Sequence, residues 1–291
     1  MIQLNHVTKR YNDTTAVDDL TLQIADGEIV GIIGHNGAGK STTLKMIAGL
    51  IEPSSGVLTV MGRDIQKEGV KIKRQIGYLA EDSPLYDNMT ARQYLIFFSE
   101  LYRMPRPQAL ARIDQLLGSL DLPEKDKLTG EFSKGMKRKT AIARALLHDP
   151  RLLILDEPSS GLDPLTSFFI IHYLKTLKNE GKTILLSAHN LFHVEYICDR
   201  VAIIKNGRLV VFDKMDAIRS SLGKREYQVV FKADESLDYE KQNGNYIFRT
   251  DQVDAIAAVL ERVSAHNWAL VDLSMKESAL EEIYVRLMTN H

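Results

Sequence analysis

Two segments of this 291-residue sequence carry side chains whose types and order suit work on a nucleoside triphosphate. The first is Gly34-His35-Asn36-Gly37-Ala38-Gly39-Lys40-Ser41, with Thr42 continuing it. Glycines in such a run let the backbone wrap closely, with its N–H groups pointing inward at phosphate oxygens. Lys40 is placed to reach the β- and γ-phosphates, and the Ser41 hydroxyl to bind Mg²⁺. A helix opening near Lys40 would add its partial positive end, worth roughly 0.3–1 kcal/mol per favourable contact. The second segment is Leu152-Leu153-Ile154-Leu155-Asp156-Glu157, an apolar strand that delivers two carboxylates at its C-terminal end. Open α/β sheets place their ligands at that end. Asp156 suits a metal held through its water shell. Glu157, on the other side of the pleat, suits a base that orients or deprotonates water.

These groups need a scaffold, and the hydrophobic pattern supplies one. Ile29–Ile33 is apolar throughout, as in a strand covered on both faces, and it leads into the glycine run. The helix after the run carries Leu44, Ile47 and Leu50. Similar buried strands are expected at Leu152–Leu155, Thr183–Leu186 and Val201–Ile204, with helical stretches between, which implies a parallel α/β core. Asn206-Gly207 turns the last of these back toward Phe212 as a hairpin. Ile2–Val7, Leu20–Ile24 and Val57–Val60 alternate apolar with polar and predict half-buried antiparallel strands. Between about residues 84 and 150 the pattern is helical. Thr90-Ala91-Arg92-Gln93 reads as a capping box ahead of Tyr94, Phe97, Phe98, Leu101 and Tyr102. Met104-Pro105-Arg106-Pro107 breaks that helix, and Ala109–Leu120 resumes one. From about residue 221 the texture changes to a small α+β module. Strands are expected at Tyr227–Phe231, Tyr246–Phe248 and Ala269–Leu273, and helices along Val253–Val263 and Leu280–Leu287.

Composition narrows the class. The apolar fraction of 44% and charged fraction of 26% are those of a globular protein, and a formal net charge of −1 gives no reason to expect nucleic acid as a partner. The single cysteine, Cys198, excludes an internal disulfide, and its apolar neighbours imply a buried, inert thiol. No window approaches the roughly eighteen uninterrupted apolar residues of a membrane span. The opening residues lack a secretory leader pattern, so a cytoplasmic setting is expected. Neither His35 nor the His189/His193 pair has companions at zinc-ligand spacing. Lys134, Lys137, Arg138 and Lys139 read as a solvated helix start, and Trp268 as core of the C-terminal module.

Between the two chemical segments lies Phe132-Ser133-Lys134-Gly135-Met136. With the phosphate loop upstream and the acidic pair downstream, the chain resembles the nucleotide-binding subunit of an ATP-binding cassette (ABC) transporter, over roughly Met1–Asp216. The family signature usually reads Leu-Ser-Gly-Gly-Gln. Ser133 and Gly135 match it, while Lys134 and Met136 depart, as in exporter-type subunits of the ABC-2 group. The resemblance implies a P-loop NTPase core with a mostly parallel sheet, an antiparallel β subdomain and a helical subdomain. The cassette would cover residues 1–220, and residues 221–291 would form an accessory, regulatory α+β module. It implies ATP and Mg²⁺ as cofactors and assigns further roles. Tyr11 would stack on adenine, and Asp163, in Ser160-Gly161-Leu162-Asp163, would cross between subunits. His189 would contact the γ-phosphate. Glu81 stands where most members carry glutamine, as a carboxylate that can contact metal or water. ATP would be sandwiched between two subunits, either two copies or a copy and a paralogue, with Ser133–Gly135 of one covering the phosphate loop of the other. A transmembrane permease would dock near Glu81 and the stretch Asp82–Tyr102, placing the subunit on the inner face of the membrane.

Rival classes fit less of the sequence. A chromosome-maintenance ATPase would need sustained heptads between the two segments, and none is present. A ribosome-acting one would carry two cassettes, whereas one phosphate loop is found. A P-loop kinase or GTPase leaves Ser133–Gly135, Asp163 and His189 unexplained. An ATP-gated interaction module that turns over slowly remains open to single-turnover measurement.

Overall fold

Strands that are apolar at every position need cover on both faces. In the computed structural model, which describes residues 2–122 and 127–289, β3 (Ile29–Ile33), β7 (Leu152–Leu155) and β8 (Thr183–Ser187) are buried at every position. The chain divides into two units, Met1–Met215 and Asp216–His291. Among the described residues of the first unit, a six-stranded sheet adds β6 (Ile76–Leu79), β9 (Arg200–Lys205) and β10 (Arg208–Lys214) in the order β10-β9-β3-β8-β7-β6. All but β10 run parallel. Strand β10 returns through Asn206 (φ 51) and Gly207 (φ 78), the pair of left-handed residues that a tight hairpin turn demands. Register pairs Leu79 with Leu155 and Leu155 with Leu186, so the segments after β6, β7 and β8 emerge side by side.

A second sheet, β2-β1-β4-β5, is antiparallel: β1 is Ile2–Tyr11, β2 Thr14–Ile24, β4 Ser55–Val60 and β5 Arg63–Asp64. Strands β1 and β2 run further than the alternation Ile2–Val7 and Leu20–Ile24 indicates. Bulges after Leu4 and Val7 shift the register and expose the far ends, so the period of two is lost there while pairing continues to Tyr11 and Thr14. Helix α1 (Lys40–Ile47) lies in the core shared by the two sheets. Leu44, Met46 and Ile47 belong to one cluster with Val7 and Leu20 of the antiparallel sheet and Ile32 and Ile154 of the parallel one. Leu50 is not on this helix. The helix ends at Ile47, Gly49 turns left-handed at φ +67, and Leu50 is 52% exposed.

After α2 (Ile65–Lys73), the helical section comprises α3 (Ala91–Leu101), α4 (Arg106–Ser119) and α5 (Lys134–Leu146). The capping box forms: Gln93 N donates to Thr90 Oγ1 at 3.2 Å, and Thr90 N to Gln93 Oε1 at 2.9 Å. Tyr94 and Leu95 are buried, while Phe97 and Phe98 pack edge-on against each other at 5.3 Å, Phe97 with 36% of its surface exposed. Helices α6 (Pro164–Asn179) and α7 (Leu191–Ile197) flank β8 in sequence. Among the described residues no helix is long and apolar enough to cross a membrane.

Helix α8 (Met215–Leu222) begins on the last residue of the first unit, and the second unit continues with β11 (Arg225–Lys232), β12 (Glu240–Gln242), β13 (Asn245–Thr250), α9 (Val253–Ala265), β14 (Ala269–Glu277) and α10 (Leu280–Thr289). The sheet order is β12-β13-β11-β14, and α9 packs Ile256, Val259 and Val263 on Val229, Phe231 and Tyr246. Trp268 is at the margin of this cluster rather than inside it. It stacks on Phe231 at 5.3 Å and His266 at 4.7 Å, and Nε1 donates to Glu235 Oε1 at 3.1 Å.

Candidate functional site

The glycine run leaves β3 and enters α1 with a geometry that side chains would block. A Cβ on Gly34 would lie 2.4 Å from the Ile204 carbonyl oxygen, and one on Gly39 would lie 2.4 Å from that of Ala16, with Gly39 itself at φ +104. The loop is braced from behind by the β9–β10 turn: Gly207 N donates to the Ala38 carbonyl at 3.0 Å, and Asp18 N to the Gly207 carbonyl at 2.9 Å. No side chain caps the N-terminus of α1, so its first amides point toward the cleft as donors for an anion.

Lys40 Nζ lies within this cradle, donating to the carbonyls of Gly34 at 2.8 Å and His35 at 3.2 Å. Burial pulls its ammonium below the ordinary lysine value, and the carboxylates of Glu157, Asp156 and Glu81 pull it part of the way back. A cleft of about 720 Å³ is lined by Tyr11, Ala16, the run Asn36 to Thr42, Glu81, Glu157 and His189. Gly34 and His35 are not among its lining residues; their carbonyls are taken up by Lys40 Nζ. The His35 ring lies 2.7 Å from the Asn36 carbonyl and 3.1 Å from Asn206 Oδ1.

Asp156, behind the cleft, and Glu157, at its wall, are both buried. Ser187, at the end of β8, holds them together: its Oγ donates to Asp156 Oδ1 at 2.6 Å and accepts from Glu157 N at 2.9 Å. Glu157 stands in the left-handed region at φ 51. Its Oε2 accepts from His189 N at 3.2 Å; its Oε1 lies 3.2 Å from His189 Nε2 but makes no hydrogen bond to the protein. Burial raises the Glu157 carboxyl above the usual carboxylate value, against the pull of His189 and Lys40. Glu157 lines the cleft, and its buried Oε1, set against His189, keeps hydrogen-bonding capacity that a water entering beside it would use.

Ser133, Gly135 and Asp163 are also outside this cleft. Ser133 Oγ accepts from Met136 N at 3.2 Å and caps α5; Asp163 Oδ1 accepts from Thr166 N at 2.9 Å and caps α6. The Thr166 bonds hold the Asp163 carboxyl below the usual value. Gly135 abuts Thr166, since a Cβ there would fall 2.9 Å from Thr166 Cγ2. Ser133, Gly135 and Asp163 thus form a second constellation, separate from the Lys40 cleft within one chain.

Two residues at the site escape sequence reasoning. Ser187 is a polar residue in a strand buried at every position, and that mismatch was the available signal. Arg138 is a correction: of the basic cluster assigned to solvent, this side chain is buried. Its Nη1 donates to the Ala80 carbonyl at 3.0 Å and its Nη2 to the Glu157 carbonyl at 2.5 Å. Burial lowers the Arg138 pKa from the ordinary arginine value, opposed by the charges of Glu81, Asp156, Glu157 and Asp82. The helical position of Arg138 faces the sheet, which the charge pattern alone does not reveal. Cys198 is buried as expected, and burial pushes its thiol strongly upward, away from reactivity.

A parallel sheet, a glycine cradle opening onto a helix N-terminus and a carboxylate pair at the neighbouring strand end define a P-loop nucleoside triphosphatase. The particular family follows from comparison with known proteins. The ABC transporter family matches residues 17–160. The ABC transporter ATP-binding protein NatA of Bacillus subtilis is 40% identical over 237 residues, spanning 79% of this chain and 96% of that protein. The bacitracin transport ATP-binding protein BcrA of Bacillus licheniformis is 32% identical, over 99% and 97% of the two chains. A dimeric ATP-binding cassette solved in a post-hydrolysis state with ADP and phosphate superposes with a TM-score of 0.68 at 29% identity, covering 74% of this chain and 99% of the other. The chain belongs to the ABC transporter family as an ATP-binding, ATP-hydrolysing subunit.

Proposed function

We propose that the chain hydrolyses ATP in the Lys40 cleft only when a second ATP-binding subunit, a copy or a paralogue, supplies Ser133, Gly135 and Asp163 over the γ-phosphate. The observation that carries this is the separation of the two constellations: Lys40, Glu157 and His189 converge in one cleft, while Ser133 and Asp163 cap helices outside it. The loop amides of Gly34 to Ser41, with Thr42, hold the phosphates, and Lys40 bridges the β- and γ-groups. Tyr11, 45% exposed at the end of β1 and lining the cleft, stacks on the adenine. Glu157 takes the proton of the attacking water through Oε1, and His189 holds that carboxylate and the γ-phosphate in line.

The oxygen set of Ser41, Asp156 and Glu81 fits Mg²⁺, which binds through few protein oxygens together with substrate phosphates. Asp156, immobilised by Ser187, and the half-exposed Ser41 hydroxyl would hold it, with Glu81 at the rim. The ion would neutralise charge developing on the β–γ bridge.

Closure around ATP and reopening after hydrolysis then move a separate transmembrane permease docked near Glu81 and Asp82–Tyr102. This places the subunit on the inner face of the membrane. The Phe132–Met136 variant and the extra module favour export. Residues 221–291 act as an accessory, regulatory part.

The test is light scattering of the Glu157→Gln chain with and without MgATP, alongside calorimetric ATP binding. ATP-dependent doubling of mass with retained binding is expected. A chain that binds MgATP yet stays monomeric, alone and with its co-purified partners, overturns the two-subunit site.

A further inference from the structure

Arg138 lies early in α5, the helix capped by Ser133. Its guanidinium forks across the exits of two adjacent parallel strands, to the Ala80 carbonyl after β6 and the Glu157 carbonyl after β7. Leu79 and Leu155 are register partners, so these exits are neighbours. Ala80 directly precedes Glu81, and the second carbonyl is Glu157's own. Each carbonyl has one further donor: Ser83 Oγ reaches Ala80 at 3.0 Å, and Ser160 N reaches Glu157 at 3.2 Å. Glu157 keeps a left-handed backbone at φ 51, which a residue with a side chain holds only when its surroundings enforce it. Arg138 and Ser187 bond that residue's main chain from two sides. The charge is tolerated in this buried place because Glu81, Asp156, Glu157 and Asp82 surround it.

A lysine there would keep a charge and donors, but on one compact ammonium without the two separate nitrogens that the rigid, planar guanidinium fork presents to the two carbonyls. The fork therefore makes the position of α5 and the aim of two carboxylate-bearing loops into one mechanical unit. The cap of the same helix, Ser133, belongs to the constellation assigned above to the other subunit's nucleotide.

We propose that Arg138 is a positioning residue that ties α5 to Glu81 and Glu157, so that a triphosphate seated against Ser133–Gly135 of a chain sets the hydrolytic geometry in that chain's own cleft. This rests on the two-subunit reading of the site. Communication then runs from each nucleotide to the opposite cleft through one guanidinium.

The experiment compares the full-length chain with Arg138→Gln and Arg138→Lys for ATP affinity, kcat, KM and melting temperature. Both variants are expected to bind ATP and show KM within about threefold of the parent, with kcat lowered about 10- to 100-fold. The lysine, keeping the charge but not the fork, should fail to restore the rate. Adding Arg138→Gln to Glu157→Gln should slow residual hydrolysis no further, because the effect passes through Glu157. The proposal is overturned if kcat stays within about twofold of the parent, or if the double variant loses the two factors multiplied. A proportional loss of ATP binding and melting temperature overturns it too, since that marks a structural strut. If Arg138→Gln does not fold, Arg138→Lys decides alone by the same kcat and KM criteria. Mass measurements on Glu157→Gln report separately on the two-subunit reading, so a monomeric result there is not confused with a failure of Arg138.

Discussion

The Lys40 cleft and the Ser133–Asp163 segment are equally rich in functional residue types but are built in opposite ways. In the cleft, polar groups retain unused capacity: Glu157 Oε1 is buried without a hydrogen bond, α1 has no side-chain cap, and Lys40 is pulled down by burial. In the other segment the side chains are already satisfied, Ser133 capping α5 and Asp163 capping α6. One region is prepared for a ligand at some cost to itself, whereas the other is locally self-sufficient and stable before it meets anything. The difference teaches that stability and function separate here: substitutions in the cleft should affect turnover first, and substitutions in the capping segment should affect both.

The comparison is sharpest at Glu157. Replacing it with Gln should lower kcat by about 10²–10⁴ while leaving ATP binding intact, read by phosphate release and calorimetry. The same substitution should raise the melting temperature of the nucleotide-free chain at neutral pH. The sign follows from the raised pKa. Between the unfolded value and the higher folded one, the folded state binds more protons, so stability falls as pH rises through that window and stays reduced above it. Gln removes that penalty, so the gain should vanish once the medium is acidic enough to protonate the carboxyl in both states. A neutral-pH melting temperature that drops on substitution would break the comparison.

Ser187→Ala comes next. It leaves Asp156 Oδ1 and the Glu157 amide each short of a partner, and an unsatisfied buried group costs about 1–3 kcal/mol. Turnover should fall about 10- to 100-fold through lost alignment, with a lower melting temperature. The smallest effect in a single chain is expected at Ser133→Ala. Losing the α5 cap costs about 1 kcal/mol, or roughly 2–4 °C in melting temperature for a unit of this size. Asp163→Ala should lower the melting temperature in the same sense. If either variant melts like the parent, the capping role is wrong. If both melt lower yet hydrolyse ATP at the parent rate, the segment contributes nothing to the site.

Much of this site was legible in the residues. The glycine run required Gly34 and Gly39, and at both a Cβ would strike a carbonyl oxygen 2.4 Å away. The capping box at Thr90 and Gln93 formed as its spacing implies, because it depends on atoms within one turn. The helical period runs on to Leu50, whereas the helix itself ends at Ile47, ahead of the left-handed Gly49. The strands β1 and β2 outran their alternation because bulges reverse which face each side chain meets.

Local chemistry was therefore set by the sequence alone: which loop is built as a glycine cradle, which strand ends in carboxylates, which residues cap α3. Only the tertiary structure decided how those pieces are joined. Ser187 lies 31 residues from Asp156, and Arg138 lies 19 from Glu157. The physical reason is that periodicity reports which face of an element is buried but not which distant backbone carbonyl waits there. A buried guanidinium is stable only after the fold has brought two carbonyls and four carboxylates around it.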